Sequence, residues 1–192
     1  MKLPARILGI NGSPHKTSTC TRLLSQALRA AKKAGAQTEI VHLIDIERTF
    51  YKSRYGTKPE EDFKNLSKKL LSADGFILAT PVYWMNMSSL MKNFFEKLTV
   101  FEINNFKLEG KVAGFITTCE EDGGWKTALD MAGPLDHMGV LFPPYSMLFY
   151  NKKFIDKSER GWMKKDIELL GQNVTELCRI VKLGKPKWDY RG

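Results

Sequence analysis

Arg6 to Thr21 reads RILGINGSPHKTSTCT, and the interpretation of this stretch decides the fold. Ile7, Leu8, Gly9 and Ile10 form a short apolar run that breaks at Asn11-Gly12 into a loop crowded with hydroxyls, and an amphipathic helical pattern opens directly after it. The order is strand, polar turn, helix start. A helix N-terminus offers unpaired N–H groups and the positive end of its dipole, so Ser13, Thr17, Ser18 and Thr19 placed there suit an anion, a phosphate above all. They equally suit an ordinary N-capped turn, because serine and threonine are what an N-cap takes. From this stretch alone both readings stand.

Outward from it, strand and helix alternate. Leu23, Leu24, Ala27, Leu28 and Ala31 recur at helical spacing and predict a helix from about Ser18 to Ala34, closed by Gly35. Thr38 to Leu43 alternates as a second strand. Ile44 to Pro59 has no period but carries Phe50, Tyr51 and Tyr55; a loop of this length serves as a lid or contact surface, unless it is a plain surface excursion. Glu60 to Ser72 predicts a second helix. Phe76 to Ala79 is continuously apolar, as in a strand covered on both faces, and is expected to stop at Thr80-Pro81. From Ser88 a third helix presents Leu90, Met91, Phe94, Phe95 and Leu98. Val112 to Thr117 is a fourth strand and Trp125 to His137 a helix. Val140 to Tyr150 holds a fifth strand whose limits Pro143-Pro144 obscure. A last helix runs from about Glu159 to Lys182, before a basic tail with Trp188 and Tyr190. Five alternations without repeat or linker predict a single domain over 1–192, a doubly wound α/β sheet with helices on both faces.

Composition narrows the class. At 192 residues, 43% hydrophobic and 27% charged, the chain matches an ordinary globular domain. Its three cysteines, Cys20, Cys119 and Cys178, are far apart and lack metal-ligand spacing, which points to a reducing, cytoplasmic setting without a cysteine-held metal. No apolar run is long enough to predict a membrane span. The net charge of +9 admits an anionic partner, yet the lysines are dispersed in pairs, a pattern of solvated helix faces more than of a nucleic-acid surface.

In an open α/β sheet a ligand sits at the carboxyl ends of the strands, where the strand order reverses. With order 2-1-3-4-5, the loops after strands one, three and four line one crevice: Asn11 to Thr17, Pro81 to Met87, and Thr118 to Gly124. The first lacks both the GxxxxGK[ST] of a nucleoside triphosphate loop and the GxGxxG of a dinucleotide fold. The second puts Tyr83 and Trp84 at a strand end, where a flat heteroaromatic ring can stack or core and subunit packing can use them. The third has Gly123 and Gly124, which allow close backbone approach.

Three segments, GINGSPHKTSTCTRLL (9–24), ATPVYWMNMSSLMKNFFEKL (79–98) and KVAGFITTCEEDGG (111–124), together resemble the signature regions of the flavodoxin-like NAD(P)H-dependent FMN reductase family, in the branch that contains the iron–sulfur flavoproteins. The resemblance implies a three-layer flavodoxin-like sandwich around a five-stranded parallel sheet in order 2-1-3-4-5. It also implies that Ser13, His15, Ser18, Thr19 and Cys20 hold the FMN phosphate. Pro81, Val82, Tyr83 and Trp84 would lie along the isoalloxazine ring, with Thr118, Gly123 and Gly124 at its other edge. His15 stands where the family has arginine and Cys20 where it has threonine, so restoring either family residue is expected to tighten FMN. The iron–sulfur members carry a cysteine cluster after the second strand; Ile44 to Pro59 has none, and no cluster is expected.

The function implied is hydride transfer from NADH or NADPH to FMN and onward to a quinone, free flavin or other small acceptor, in a homodimer or homotetramer. The flavin carries the chemistry, so no side chain is required as acid or base. His42 and His137 are read as structural. Two rivals remain from the sequence: a flavodoxin-type electron carrier that does not use pyridine nucleotide, and a flavin-free regulator or nucleic-acid binder on the same fold.

Overall fold

The computed structural model describes residues 4–46, 48–52, 56, 58–153 and 160–189; Tyr55, Tyr190 and the expected helix start at Glu159 lie outside them. Among the described residues six strands form: β1 (Arg6–Asn11), β2 (Gln37–His42), β3 (Gly75–Tyr83), β4 (Asn86–Met87), β5 (Val112–Cys119) and β6 (Met147–Asn151). The helices are α1 (Thr19–Lys33), α2 (Lys64–Ser72), α3 (Ser89–Lys97), α4 (Thr99–Ile103), α5 (Gly124–His137) and α6 (Arg160–Gly184). The long strands are all parallel in order β2-β1-β3-β5-β6, and the two-residue β4 folds antiparallel onto the end of β3. Leaving β4 aside, this is the 2-1-3-4-5 order of a flavodoxin-like sandwich.

Two cores flank the sheet, because successive strand residues face opposite sides. Leu8, Ile10, Phe76, Leu78 and Phe115 pack with Phe63, Phe94 and Met131 on one face. Ile7, Ile77 and Ile116 pack with Leu24, Leu28, Leu170 and Val174 of α1 and α6 on the other. Burial on both sides is why β1, β3 and β5 read as continuous apolar runs. Helices α1 and α6 approach closely at Gly171, where a Cβ would collide with the Ala27 carbonyl oxygen.

The structure departs from the sequence expectation at several boundaries. Strand β3 does not stop at Thr80-Pro81 but runs to Tyr83. Strand β1 ends at Asn11, and Gly12 N–H bonds Ala79 O, so beyond Ala79 no β1 residue pairs with β3 and the missing N–H of Pro81 goes uncalled for. Strand β5 continues through Thr118 and Cys119. The second helix opens as a 3-10 turn at Glu61–Phe63 before α2. Past Val140, only Leu141 bridges to Val112, and β6 proper begins at Met147, after the two prolines and a left-handed Tyr145 (φ 60°).

The described part of the loop after β2 is strapped to α3. Asn93 accepts from Tyr51 N–H and donates to Thr49 O, both at 2.9 Å. The Asp62 carboxylate accepts from the N–H groups of Arg48 and Thr49 at 2.9 Å and from Lys97 Nζ at 3.0 Å, with the Lys97 side chain only 1% exposed.

Candidate functional site

The three loops meet at the carboxyl end of the sheet. The first is tied to the second by the Ser88 hydroxyl, which donates to Gly12 O at 2.6 Å. It is tied to the third by Cys20 Sγ and Thr118 Oγ1, 2.9 Å apart. Second and third loops abut at Gly123, whose backbone is left-handed (φ 87°) and where a Cβ would stand 3.0 Å from Met85 Cα and 3.1 Å from Val82. Only glycine satisfies both the conformation and the contact.

Within the first loop, Ser18 is the N-cap of α1: its Oγ accepts from Thr21 N–H at 3.2 Å. The N–H groups of Thr19 and Cys20, in the first turn, have no intrahelical acceptor and lie at the positive end of the dipole. Ser13 is buried and its Oγ accepts from His15 N–H at 3.1 Å. His15, Lys16 and Thr17 are exposed, and Lys16 pairs with Asp45 at 2.7 Å. The Cys20 thiol lies inside: it is 1% exposed, packs with Leu23 and Leu24, and burial, only partly offset by the Thr118 contact, pushes its pKa up to about 11. What Cys20 can offer an anion is its backbone N–H. Hydroxyls, free amides and nearby basic side chains together suit a phosphate.

Pro81 and Val82 are half-buried, Tyr83 is 48% exposed and Trp84 is fully exposed. Trp84 and Met85 turn the β3–β4 hairpin with φ of 48° and 62°, a left-handed pair that commonly calls for Asn-Gly. The Trp84 indole therefore projects away from the body of the chain. In the third loop Thr118 is half-buried and Gly123 and Gly124 are buried. The Gly123 N–H is held by Asp122 Oδ1 at 2.6 Å, so a ring edge reaching it would have to replace that carboxylate.

Asn11, Thr21, His42 and Ser88 build the first loop from behind; the sequence offers Ser88 as a cap of α3 and His42 as structural, but not their ties to this loop. Asn11 is fully buried and bonds Thr21, His42 and Ser13. A polar residue closing an apolar strand was the available signal. A cavity of about 730 Å³, lined by Trp125, Phe149, Trp162 and Asp166 among others, runs along the outer strand β6 rather than in the crevice. Among the described residues, no group of three His, Cys, Asp or Glu is placed to hold a metal ion, and no helix is long and apolar enough to cross a membrane.

A parallel sheet in this order, with an anion-ready helix N-terminus beside two loops at the point of strand reversal, defines a flavodoxin-like α/β protein. The chain belongs to the NADPH-dependent FMN reductase family, whose model matches residues 5–153. It is 27% identical to an iron–sulfur flavoprotein of Methanocaldococcus jannaschii over 92% of this chain and 99% of that one. It is 30% identical to the iron–sulfur flavoprotein of Methanosarcina thermophila over 118 residues, which span 62% of that relative's length. Among solved structures, RosB with bound 8-demethyl-8-formylriboflavin-5'-phosphate superposes with a TM-score of 0.80 at 24% identity, covering 93% of this chain and 81% of RosB. The chain is thus of a flavin oxidoreductase family.

Proposed function

We propose that the protein is a cytoplasmic, FMN-dependent reductase that accepts hydride from NADH or NADPH and delivers electrons to a quinone, free flavin or other small acceptor. The observation that carries this reading is the convergence of the three loops, joined by Ser88 to Gly12, Cys20 to Thr118 and Gly123 to Val82. FMN, when bound, supplies the redox chemistry.

The chain's own residues bind and orient. The N–H groups of Thr19 and Cys20 and the hydroxyls of Ser13, Ser18 and Thr19 hold the phosphate, with His15 at the exposed rim. Pro81, Val82 and Tyr83 form one wall for the ring, and Thr118, Gly123 and Gly124 the opposite edge. Trp84, fully exposed at the hairpin tip, is available to a second copy, which supports a homodimer or homotetramer in which the neighbour closes the pocket.

The test is a visible spectrum of the purified protein, reconstituted with FMN, before and after anaerobic NADPH. The expected result is a flavin spectrum that bleaches on adding the nucleotide. Bound flavin that neither NADPH nor NADH bleaches identifies an electron carrier instead, and a colourless protein that ignores added FMN overturns the redox reading.

A further inference from the structure

Asn11 and His42 end the neighbouring parallel strands β1 and β2 and are partners in register, so their side chains share the face on which α1 lies. Asn11 Oδ1 accepts from Ser13 N–H at 3.1 Å, and an N–H can only donate, so the orientation of the Asn11 amide is fixed. Its Nδ2 then donates both hydrogens, one to Thr21 Oγ1 at 3.0 Å and one to His42 Nδ1 at 2.9 Å. The imidazole therefore carries its proton on Nε2, with Nδ1 bare.

The direction continues into the loop. Ser18 Oγ accepts the Thr21 N–H and lies 3.0 Å from Thr21 Oγ1. If the Thr21 hydroxyl donates to Ser18, the Ser18 proton is left to point outward. The reverse direction would leave the Thr21 proton outward instead, three residues further into α1. The first direction presents its free proton at the N-cap itself, beside the unpaired first-turn N–H groups, and is the one an anion there selects.

We propose that His42 and Asn11 are positioning residues of the anion site: through Thr21 they fix the Ser18 hydroxyl as a donor aimed at the phosphate. This rests on the FMN reading for the identity of the anion, but the network itself does not.

The experiment has two arms. In flavin-free protein, long-range 15N–1H spectra are expected to show His42 with Nδ1 unprotonated. The Asn11 side-chain amide resonances should shift in His42→Leu and return in His42→Asn, whose Oδ1 replaces Nδ1 as acceptor. An Nδ1-protonated His42, or Asn11 resonances unmoved in His42→Leu, overturns the proposal. In the second arm FMN affinity is read from quenching of flavin fluorescence. His42→Leu and Thr21→Val should each weaken FMN by about 3- to 10-fold, and His42→Asn should restore it. Folded His42→Leu and Thr21→Val proteins with wild-type affinity overturn the proposal; if His42→Leu does not fold, the near-isosteric Thr21→Val decides. Wild-type protein that takes no FMN sinks the functional reading instead, and the spectra then judge the network alone.

Discussion

The Ser88 hydroxyl caps α3 and binds the first loop at once: it accepts from Met91 N–H at 3.2 Å and donates to Gly12 O at 2.6 Å, with Ser88 only 2% exposed. One side chain thus sets both the start of α3 and the height of the loop that precedes α1. Ser88→Ala removes a cap worth about 1 kcal/mol and leaves a buried carbonyl unpaired at a cost of about 1–3 kcal/mol. The expected loss is about 2–4 kcal/mol in urea unfolding, with weaker FMN binding. A change below about 0.5 kcal/mol would show that the loop does not depend on this hydroxyl.

The strap on α3 is sensitive to acid. Burial works against a charged Asp62, but the Arg48 N–H, the Lys97 ammonium and the Thr49 donors outweigh it and hold the carboxyl below its usual range. A depressed carboxyl contributes stability that is present above its unfolded pKa and lost as pH falls through the folded value. Hydrogen exchange at the Arg48 and Thr49 amides is therefore expected to be slow near neutrality and to lose protection below about pH 4, relative to the intrinsic rate. Asp62→Asn should abolish the transition. Lys97→Met removes the ammonium partner but leaves the carboxylate its Arg48 and Thr49 donors, and should destabilise by about 1.5–3 kcal/mol.

Much of this arrangement is legible in the sequence, because two-sided burial writes itself as apolar runs at Ile7–Ile10 and Phe76–Ala79 and polar loops mark their carboxyl ends. Contacts that depend on register between distant strands are not legible. Nothing in either segment says that Asn11 will stand beside His42. The passage of β3 through Pro81 depends on where β1 ends, which is a property of the neighbour. The inward Cys20 could have been found: with Leu23, Leu24 and Ala27 it completes an i, i+3, i+4, i+7 stripe, and helical phase outweighs motif position.

That placement separates the two family departures. His15 is exposed at the loop rim, so His15→Arg adds a permanent charge where an anion is approached from solvent. FMN affinity is expected to rise by about 3- to 10-fold, less at high salt. Cys20→Thr instead puts a hydroxyl and a methyl into the slot against Thr118 and Leu23. It is expected to leave FMN affinity unchanged or lower and to cost about 1–2 kcal/mol in stability. Titration of both variants with FMN checks this; tightening by Cys20→Thr would mean that the side chain at 20 faces the phosphate after all.

The Trp84–Met85 hairpin holds two non-glycine residues in the left-handed region, at about 1–2 kcal/mol each for L-residues, while leaving the indole in solvent. A fold selected for stability alone has no use for that arrangement, so the strain supports a task for the Trp84 side chain outside this chain's own core. Met85→Gly relieves one strained position and should raise stability by about 0.5–1 kcal/mol, net of the entropy that glycine adds to the unfolded state. It keeps Trp84 and should leave assembly intact. Trp84→Gly should stabilise the isolated chain similarly and shift sedimentation toward monomer, with FMN binding weakened in parallel. A Trp84→Gly protein that sediments and binds FMN like the wild type would remove the hairpin from both roles.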